Sequence, residues 1–432
     1  MKYFGTDGIR GPAGEFLTPE LAFRVGASLA VLSGSSLLLG RDTRESGIWL
    51  AERVMAGARS AGLDVRDLGV VSTPMLSYLS GRLSTLGVMI TASHNPYRDN
   101  GIKVFREGKK LFASEEGALE DVLNGLVPLP KAITPGTVLD PIDAFGLYSS
   151  LYEGLLVPSP FAIALDLSHG SDHEIGPRIF CGIARRLSLS GNAPDGKNIN
   201  DGVGSTHPEN LIRLVRETRS DLGFAVDGDG DRLQAVDAEG RLYDGDFLLY
   251  VFACSLQEKG LLNRNTVVLT KMSNLGILKA FARKGIRIEL SDVGDKYVLE
   301  ALETNDYTLG GENSGHLINR RILNTGDGLL NAACLVRILG ESGKTLSELT
   351  SDIVLYPDRL VNLREIDKTL AGHPEVLALA DSWRKRLGDE GKILIRASGT
   401  EPLIRVSVSA RTEALLTACQ DEIIALLQKL SH

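Results

Sequence analysis

The chain has 432 residues, too many for one ordinary hydrophobic core, so about two to four domains are expected. Its 43% hydrophobic content and 47 glycines fit a soluble α/β protein, while a formal net charge of -8 and few aromatic residues argue against broad binding to nucleic acid or anionic membranes. The opening MKYFGTDGIRG lacks a signal-like apolar stretch, no run is long enough to span a bilayer, and Cys181, Cys254, Cys334 and Cys419 are too widely spaced for a zinc ribbon or a small disulfide scaffold; a cytoplasmic protein with reduced, mostly buried thiols is expected.

Residues 3–11 are glycine-rich and carry Thr6, Asp7 and Arg10, which read equally as a surface turn or as a loop turning Arg10 toward an anion. Thr18 and Pro19 predict a capped helix running to Ala30. A strand over Leu37–Gly40 ends in Arg41-Asp42-Thr43-Arg44, a helix covers Ser46–Ala61, and Val65–Val71 is a second strand leading to a Thr73-Pro74 turn and a short helix. Leu86–Thr91 is a buried strand that delivers Ser93 just past its carboxyl end, where open α/β sheets place reactive groups. His94, Asn95 and Pro96 stop any helix there. On the local residues alone Ser93 is as readily a cap or a solvated hydroxyl as a nucleophile.

The proline-rich stretch 127–143 reads as a boundary, after which the pattern restarts. Phe161–Leu167 is a strand, Glu174–Leu187 mostly helix, Pro208–Arg219 a helix, and Leu222–Val226 a strand ending in the acidic loop Asp227–Arg232. A third round follows Asp244-Gly245-Asp246, with strands at 266–270 and 286–290 and helices at 275–284, 296–303 and 328–339. The last part has short strands at 359–363, 392–396 and 403–408 and helices at 375–387 and 413–430. The expected fold is therefore α/β: three consecutive similar domains (1–143, 144–241, 242–353) with mixed, mostly parallel sheets, and a small carboxy-terminal α+β domain (354–432).

Three loops carry chemistry beside Ser93. In Asp227-Gly228-Asp229-Gly230-Asp231-Arg232, carboxylates at alternate positions can converge on one hard cation such as Mg²⁺, and the spacing is not that of an EF-hand. Arg232 suits a neighbouring carboxylate or phosphate. Gly310–His316 (GGENSGH) offers Glu312 and Ser314 with the same parity, suited to vicinal sugar hydroxyls or to a plain polar turn. Arg396-Ala397-Ser398-Gly399-Thr400-Glu401-Pro402, followed by Arg405, combines guanidinium groups, hydroxyls and backbone N–H groups in a concavity suited to a phosphate dianion. No Rossmann fingerprint or Walker loop is present. A serine hydroxyl, a metal held by three aspartates and a separate phosphate clamp together imply phosphoryl transfer through phosphoserine, with a second phosphate held out of reaction.

KYFGTDGIRG, TASHNPYRDNGIK, DGDGDR, GGENSGH and RASGTEP, in that order and spanning essentially the whole chain, resemble the α-D-phosphohexomutase superfamily. The resemblance implies activating phosphorylation of Ser93, with a sugar 1,6-bisphosphate as phosphoryl donor. It implies Mg²⁺ on Ser93, Asp227, Asp229 and Asp231, and sugar contacts from Glu312 and Ser314. It assigns the far phosphate to Arg396, Ser398, Gly399, Thr400 and Arg405. Arg10, His94 and Lys103 are similar to residues around the transferring phosphate, with Lys103 a proton-transfer candidate and His316 a further member of the proton inventory. Four domains around a central cleft are implied, and a phosphosugar substrate: glucosamine 6-phosphate and 1-phosphate, with glucose and mannose phosphates as the alternative on the same scaffold and hydrolysis by a sugar phosphatase as a further one. Self-association into a homodimer is compatible with the sequence and not fixed by it. The chain departs from the family pattern at Asp166–Ser171, at Asn313 and at Ser409, none of which removes a metal ligand or Ser93.

Overall fold

The computed structural model of the chain describes residues 2–5, 7–397 and 403–431. Two compact units are formed, Met1–Lys271 with Glu289–Thr350, and Met272–Ile288 with Ser351–His432.

The first unit holds three sheets. Ile9–Pro12 (β1), Ser36–Arg41 (β2), Asp64–Val70 (β3), Leu86–Ile90 (β4), Asp99–Arg106 (β5) and Lys109–Lys110 (β6) build the first, in the order β1-β5-β4-β2-β3 with β6 on β5. Here β2 runs parallel to β3 and β4, whereas β5 is antiparallel to β4, β1 and β6. Every residue of β4 is buried, which accounts for its unbroken apolar run. Helices Pro19–Ser28 and Ser46–Ser60 cover this sheet; the first starts where Thr18 accepts the Leu21 N–H at 3.1 Å, with Pro19 in its first turn. They cross closely because Gly26 and Gly57 carry no Cβ: one added to Gly26 would lie 2.1 Å from the Val54 carbonyl oxygen.

Ala162–Asp166 (β7), Arg186–Ser190 (β8), Leu222–Val226 (β9), Leu233–Asp237 (β10) and Leu242–Tyr243 (β11) form the second sheet in the order β11-β10-β9-β7-β8. Two expectations are corrected here. Helix occupies just Ile175–Phe180 of the stretch 174–187, and Arg186–Ser190 is a strand whose alternating side chains pair parallel with β7. Parallel pairing also does not dominate, because each Ser- or Asp-bearing loop is followed by a strand that returns antiparallel, β5 on β4 and β10 on β9. Thr266–Thr270 (β12), Arg287–Ser291 (β13), Leu309–Gly311 (β14) and Leu317–Asn319 (β15) make the third sheet, with β12 parallel to β14 and β14 antiparallel to β15.

The second unit contains Asp358–Arg364 (β16), Gly391–Ala397 (β17) and Leu403–Ala410 (β18), antiparallel in the order β16-β18-β17. Trp383, Leu387, Leu416, Ile423 and Leu427 from helices Pro374–Leu387 and Glu413–Leu430 join Ile404, Val406 and Val408 in its core. This is the expected α+β arrangement. All four cysteines are thiols, but just Cys419 is buried; Cys181 is exposed at the end of a short helix, and Cys254 and Cys334 are half-buried. Among the described residues no helix is long and apolar enough to cross a membrane.

Candidate active site

Ser93 lies in the loop joining β4 to β5, whose antiparallel register from Leu86–Arg106 to Ile90–Ile102 brings the chain straight back. Its φ is 53°, in the left-handed region that a non-glycine residue occupies at a cost. The Ser93 N–H donates to Thr91 Oγ1 at 2.9 Å, and the side chain is turned inward: Ser93 Oγ donates to Asp227 Oδ2 at 2.5 Å and lies 3.3 Å from His94 Nδ1. Ser93 is buried, so this hydroxyl is not the solvated loop group its local sequence allowed.

The loop from Asp227 to Arg232 joins two fully buried strands, β9 and β10. It brings one oxygen from each of Asp227, Asp229 and Asp231 within 4.8 Å of one another. The remaining hydrogen bonds divide these carboxylates unevenly. Asp229 Oδ2 accepts from Thr73 Oγ1 at 2.6 Å and from Lys103 Nζ at 2.7 Å, and Asp231 Oδ2 accepts from Lys103 Nζ at 3.3 Å. The buried Oδ1 atoms of Asp229 and Asp231 have no hydrogen-bond partner among the described residues. Unpartnered oxygens on two carboxylates, a third carboxylate beside them and a hydroxyl at 2.5 Å are the donor set of a hard divalent cation such as Mg²⁺, so the residues fit one.

Electrostatics separate the roles. Burial, reinforced by repulsion from Asp231 and Asp229, pushes Asp227 up to about 8. Burial would raise Asp231 too, but Lys103 and then His316 hold it well below the usual carboxylate range. Burial depresses Lys103, yet Asp229, Asp7 and Asp231 outweigh it and lift the ammonium well above its ordinary value. Lys103 is therefore an ammonium in this geometry. Burial, then Arg232 and Arg10, lowers His94 to about 4, so its imidazole is neutral near pH 7. Arg10 pairs with Asp7, and Asp7 also meets Lys103 at 3.0 Å and Lys110.

His316 is buried between Asp231 and Asp295, each 3.7 Å away. Burial disfavours its charged form, but the two aspartates shift it upward. The Gly326 N–H donates to His316 Nε2 at 3.1 Å, which requires a lone pair there and leaves the proton on Nδ1, facing Asp231. Glu312, raised chiefly by burial, accepts the Gly294 N–H at 2.9 Å. Ser314 keeps a buried hydroxyl with no hydrogen-bond partner among the described residues. Ser93, His94, Lys103, Arg10, the three aspartates, Glu312, Ser314 and His316 all belong to the first unit.

In the second unit, Arg396 of β17 and Arg405 of β18 are directly opposite one another in an antiparallel pair. Two side chains in such a pair share a face of the sheet. Ser398, Gly399 and Thr400 lie outside the described residues.

Models of the phosphoglucomutase/phosphomannomutase family match this chain at α/β/α domain I over residues 1–126, at α/β/α domain III over 244–356 and at the C-terminal domain over 360–426. A phosphoglucosamine mutase of Oceanobacillus iheyensis is 43% identical over 441 residues, covering 99% of both chains. One from Bacillus cytotoxicus is 44% identical over 428 residues, covering 96% of this chain and 95% of its own. The chain belongs to the bacterial phosphoglucosamine mutases of the α-D-phosphohexomutase superfamily. Solved structures share its fold: a phosphoglucomutase/phosphomannomutase family protein of Burkholderia thailandensis at a TM-score of 0.82, with 22% identity and 99% and 98% coverage. An Aspergillus fumigatus N-acetylphosphoglucosamine mutase, solved in complex with GlcNAc-6P and magnesium, aligns at 0.71, with 17% identity and 100% and 96% coverage.

Several residues of this mutase site were not singled out by sequence reasoning. Thr73 read as a turn residue, and its hydroxyl holds Asp229. Lys110 joins Asp7 to Asp295, tying the amino-terminal loop to the start of helix Asp295–Thr304. Asp42 and Arg44, read as the polar end of β2, are buried behind the Ser93 loop. A signal existed for the last pair: two opposite charges spaced i, i+2 directly after an apolar strand, at the edge where α/β sheets carry their sites.

Proposed function

We propose that the chain interconverts glucosamine 6-phosphate and glucosamine 1-phosphate through a phosphoryl group on Ser93 and a glucosamine 1,6-bisphosphate intermediate. The observation that carries this reading is the meeting of Ser93 Oγ with the aspartate triad, in a chain 43–44% identical over its length to phosphoglucosamine mutases. Asp227, Asp229, Asp231 and Ser93 would hold Mg²⁺, which when bound neutralises phosphoryl oxygens and aligns them. In one half-reaction the phosphoserine P–O bond breaks as the sugar hydroxyl oxygen bonds to phosphorus, and the proton the sugar gives up ends on the departing Ser93 Oγ. After the bisphosphate turns around, Ser93 Oγ takes the other phosphoryl group. In that step the Ser93 proton passes to the sugar oxygen that leaves phosphorus, and Asp227, which accepts the Ser93 O–H, orients the hydroxyl.

Lys103 and Arg10 supply positive charge to the transferring phosphate, and neutral His94 donates or accepts beside Ser93. Glu312 and Ser314 address the sugar, and Arg396 with Arg405 the phosphate that does not react, together with Ser398, Gly399 and Thr400. The four-domain partition at 143, 241 and 353 belongs to the same proposal, as does a cytoplasmic role supplying UDP-N-acetylglucosamine synthesis. The test is to incubate glucosamine 6-phosphate with Mg²⁺ and a trace of the 1,6-bisphosphate and follow ³¹P resonances. The 1-phosphate should form without comparable inorganic phosphate. Release of inorganic phosphate alone would refute mutase chemistry, and a clear kinetic preference for glucose or mannose 1-phosphate would refute the substrate assignment.

A further inference from the structure

The Ser93 backbone is held more heavily than an ordinary loop. Its carbonyl oxygen accepts from Arg44 Nη2 and from Asn200 Nδ2, both at 2.9 Å. The Asn95 carbonyl accepts from the same two groups, at 2.8 and 3.1 Å. Arg44 Nη1 reaches the Pro96 and Asp99 carbonyls at 2.5 and 3.0 Å, and Nε donates to Asp42 Oδ2 at 2.9 Å. All five guanidinium N–H groups thus have an acceptor, four of them carbonyls of one short loop. Asp42 Oδ2 also accepts from Thr91 Oγ1 at 2.7 Å, and Thr91 Oγ1 accepts the Ser93 N–H. The ring Asp42–Thr91–Ser93–Arg44 is closed and buried.

Arg44 follows β2 of the first sheet, and Asn200 lies between β8 and helix Pro208–Thr218 of the second. Asn200 is itself pinned, its N–H donating to the Ser168 carbonyl at 2.8 Å with φ at 59°. Two side chains, one from a loop beside each of the first two sheets, therefore grip the same two carbonyls, those of Ser93 and Asn95, just after the Ser93 Cα. A left-handed conformation at a non-glycine residue is strained and persists where its surroundings over-determine it. A serine that is attacked, and that attacks, from one fixed position has a use for such surroundings.

We propose that Arg44 and Asn200 are positioning residues that clamp the Ser93 backbone in its left-handed conformation and so fix where Oγ stands relative to Asp227. The proposal rests on Ser93 as the phosphoryl carrier. Lysine cannot replace Arg44, since three donors on one nitrogen do not span four carbonyls and a carboxylate. Misplacing a reacting atom by about 1 Å costs about 100-fold in rate.

The test uses the full-length enzyme with Mg²⁺, carrying Arg44→Lys, Asn200→Ala or both, each phosphorylated to a level fixed by intact mass. Each single variant should lose about 100-fold in kcat with KM nearly unchanged. The ³¹P resonance of phospho-Ser93 should move in each. The double variant should fall little below the worse single, because both side chains serve the same carbonyls. Wild-type kcat and resonance in a folded Asn200→Ala protein would overturn the clamp, even were Arg44→Lys to fail to fold. So would losses that multiply independently, or a rise in KM at constant kcat. A wild-type chain that turns over with no phosphate on Ser93 overturns the carrier reading and the clamp with it; a phosphorylated, active wild type with indifferent variants overturns the clamp alone.

Discussion

Replacing Lys103 by methionine separates two effects of one buried ammonium. Lys103 is 2.7 Å from Asp229, 3.0 Å from Asp7 and 3.3 Å from Asp231, with 2% of its side chain exposed. Without it, carboxylates that it neutralises face one another out of water, and deleting one partner of a buried ion pair costs about 3–5 kcal/mol. At about 2–4 °C per kcal/mol for a domain of this size, Tm in a chelator should fall by roughly 10 °C. With a divalent ion present the sign changes. A +2 ion held by the aspartate oxygens would repel the ammonium, by roughly 7 kcal/mol for an assumed separation of about 5 Å at an effective dielectric constant of about 20. Lys103 also orients Asp229 and Asp231, and loss of such outer partners weakens metal binding by about 10–100-fold, or about 1.4–2.7 kcal/mol. Repulsion is the larger quantity. Lys103→Met should bind Mg²⁺ more tightly than the wild type and recover most of its lost Tm in Mg²⁺, while kcat falls by about 100-fold or more for want of charge at the transferring phosphate. Calorimetric titration with Mg²⁺ and thermal melts in chelator and in excess Mg²⁺ give both quantities. An unchanged Tm in chelator would refute the buried-charge argument, and weaker Mg²⁺ binding would show that orientation outweighs repulsion.

Three further outcomes are expected. Asp227 titrates near 8 without a cation, so at pH 7 it is mostly protonated, and Mg²⁺ binding should release nearly one proton per site, falling toward none by pH 9; titrations in buffers of different ionisation enthalpy measure this, and no release at pH 7 refutes it. Asp327, at the start of helix Gly328–Ser342, accepts from Leu330 N at 3.0 Å and Tyr148 Oη at 2.5 Å, and burial raises it from 3.8 to about 6. The folded state holds that proton more tightly than the unfolded chain, so this group's contribution to stability is full below about pH 4 and about 3 kcal/mol of it is lost as pH rises through about 6. Asp327→Asn should flatten the Tm profile over that interval, and an unaltered slope would refute the assignment. Gly228→Ala would place a Cβ 2.6 Å from the Ser93 carbonyl oxygen and 2.9 Å from Asn200 Nδ2. The loop must shift, at about 1–3 kcal/mol, and both Mg²⁺ affinity and kcat should drop; wild-type values for both would show that the approach is not needed.

What was legible in the sequence is what repeats locally. The β9 strand, the β12 strand and helix Glu413–Leu430 end where apolar runs and caps place them, and Ser93 and the three aspartates stood out because each sits just past such a strand. The strand Arg186–Ser190 was lost to a helix because a five-residue alternating segment gains stability by pairing with β7, a contact that no local propensity encodes. The same holds at the site. Asp7, Lys110 and Asp295 are ordinary charges until the fold closes them into one chain of ion pairs 185 residues apart in sequence from Lys110 to Asp295. Arg44 and Asn200 act on the Ser93 loop through carbonyl oxygens that every residue possesses. Side-chain chemistry announces itself by residue type; a hold on the backbone does not, since any residue at 95 or 96 presents the same oxygen. A reading by residue type therefore finds the groups that react sooner than those that keep them in place, and at this site the left-handed φ of Ser93 marks where the second kind had to be sought.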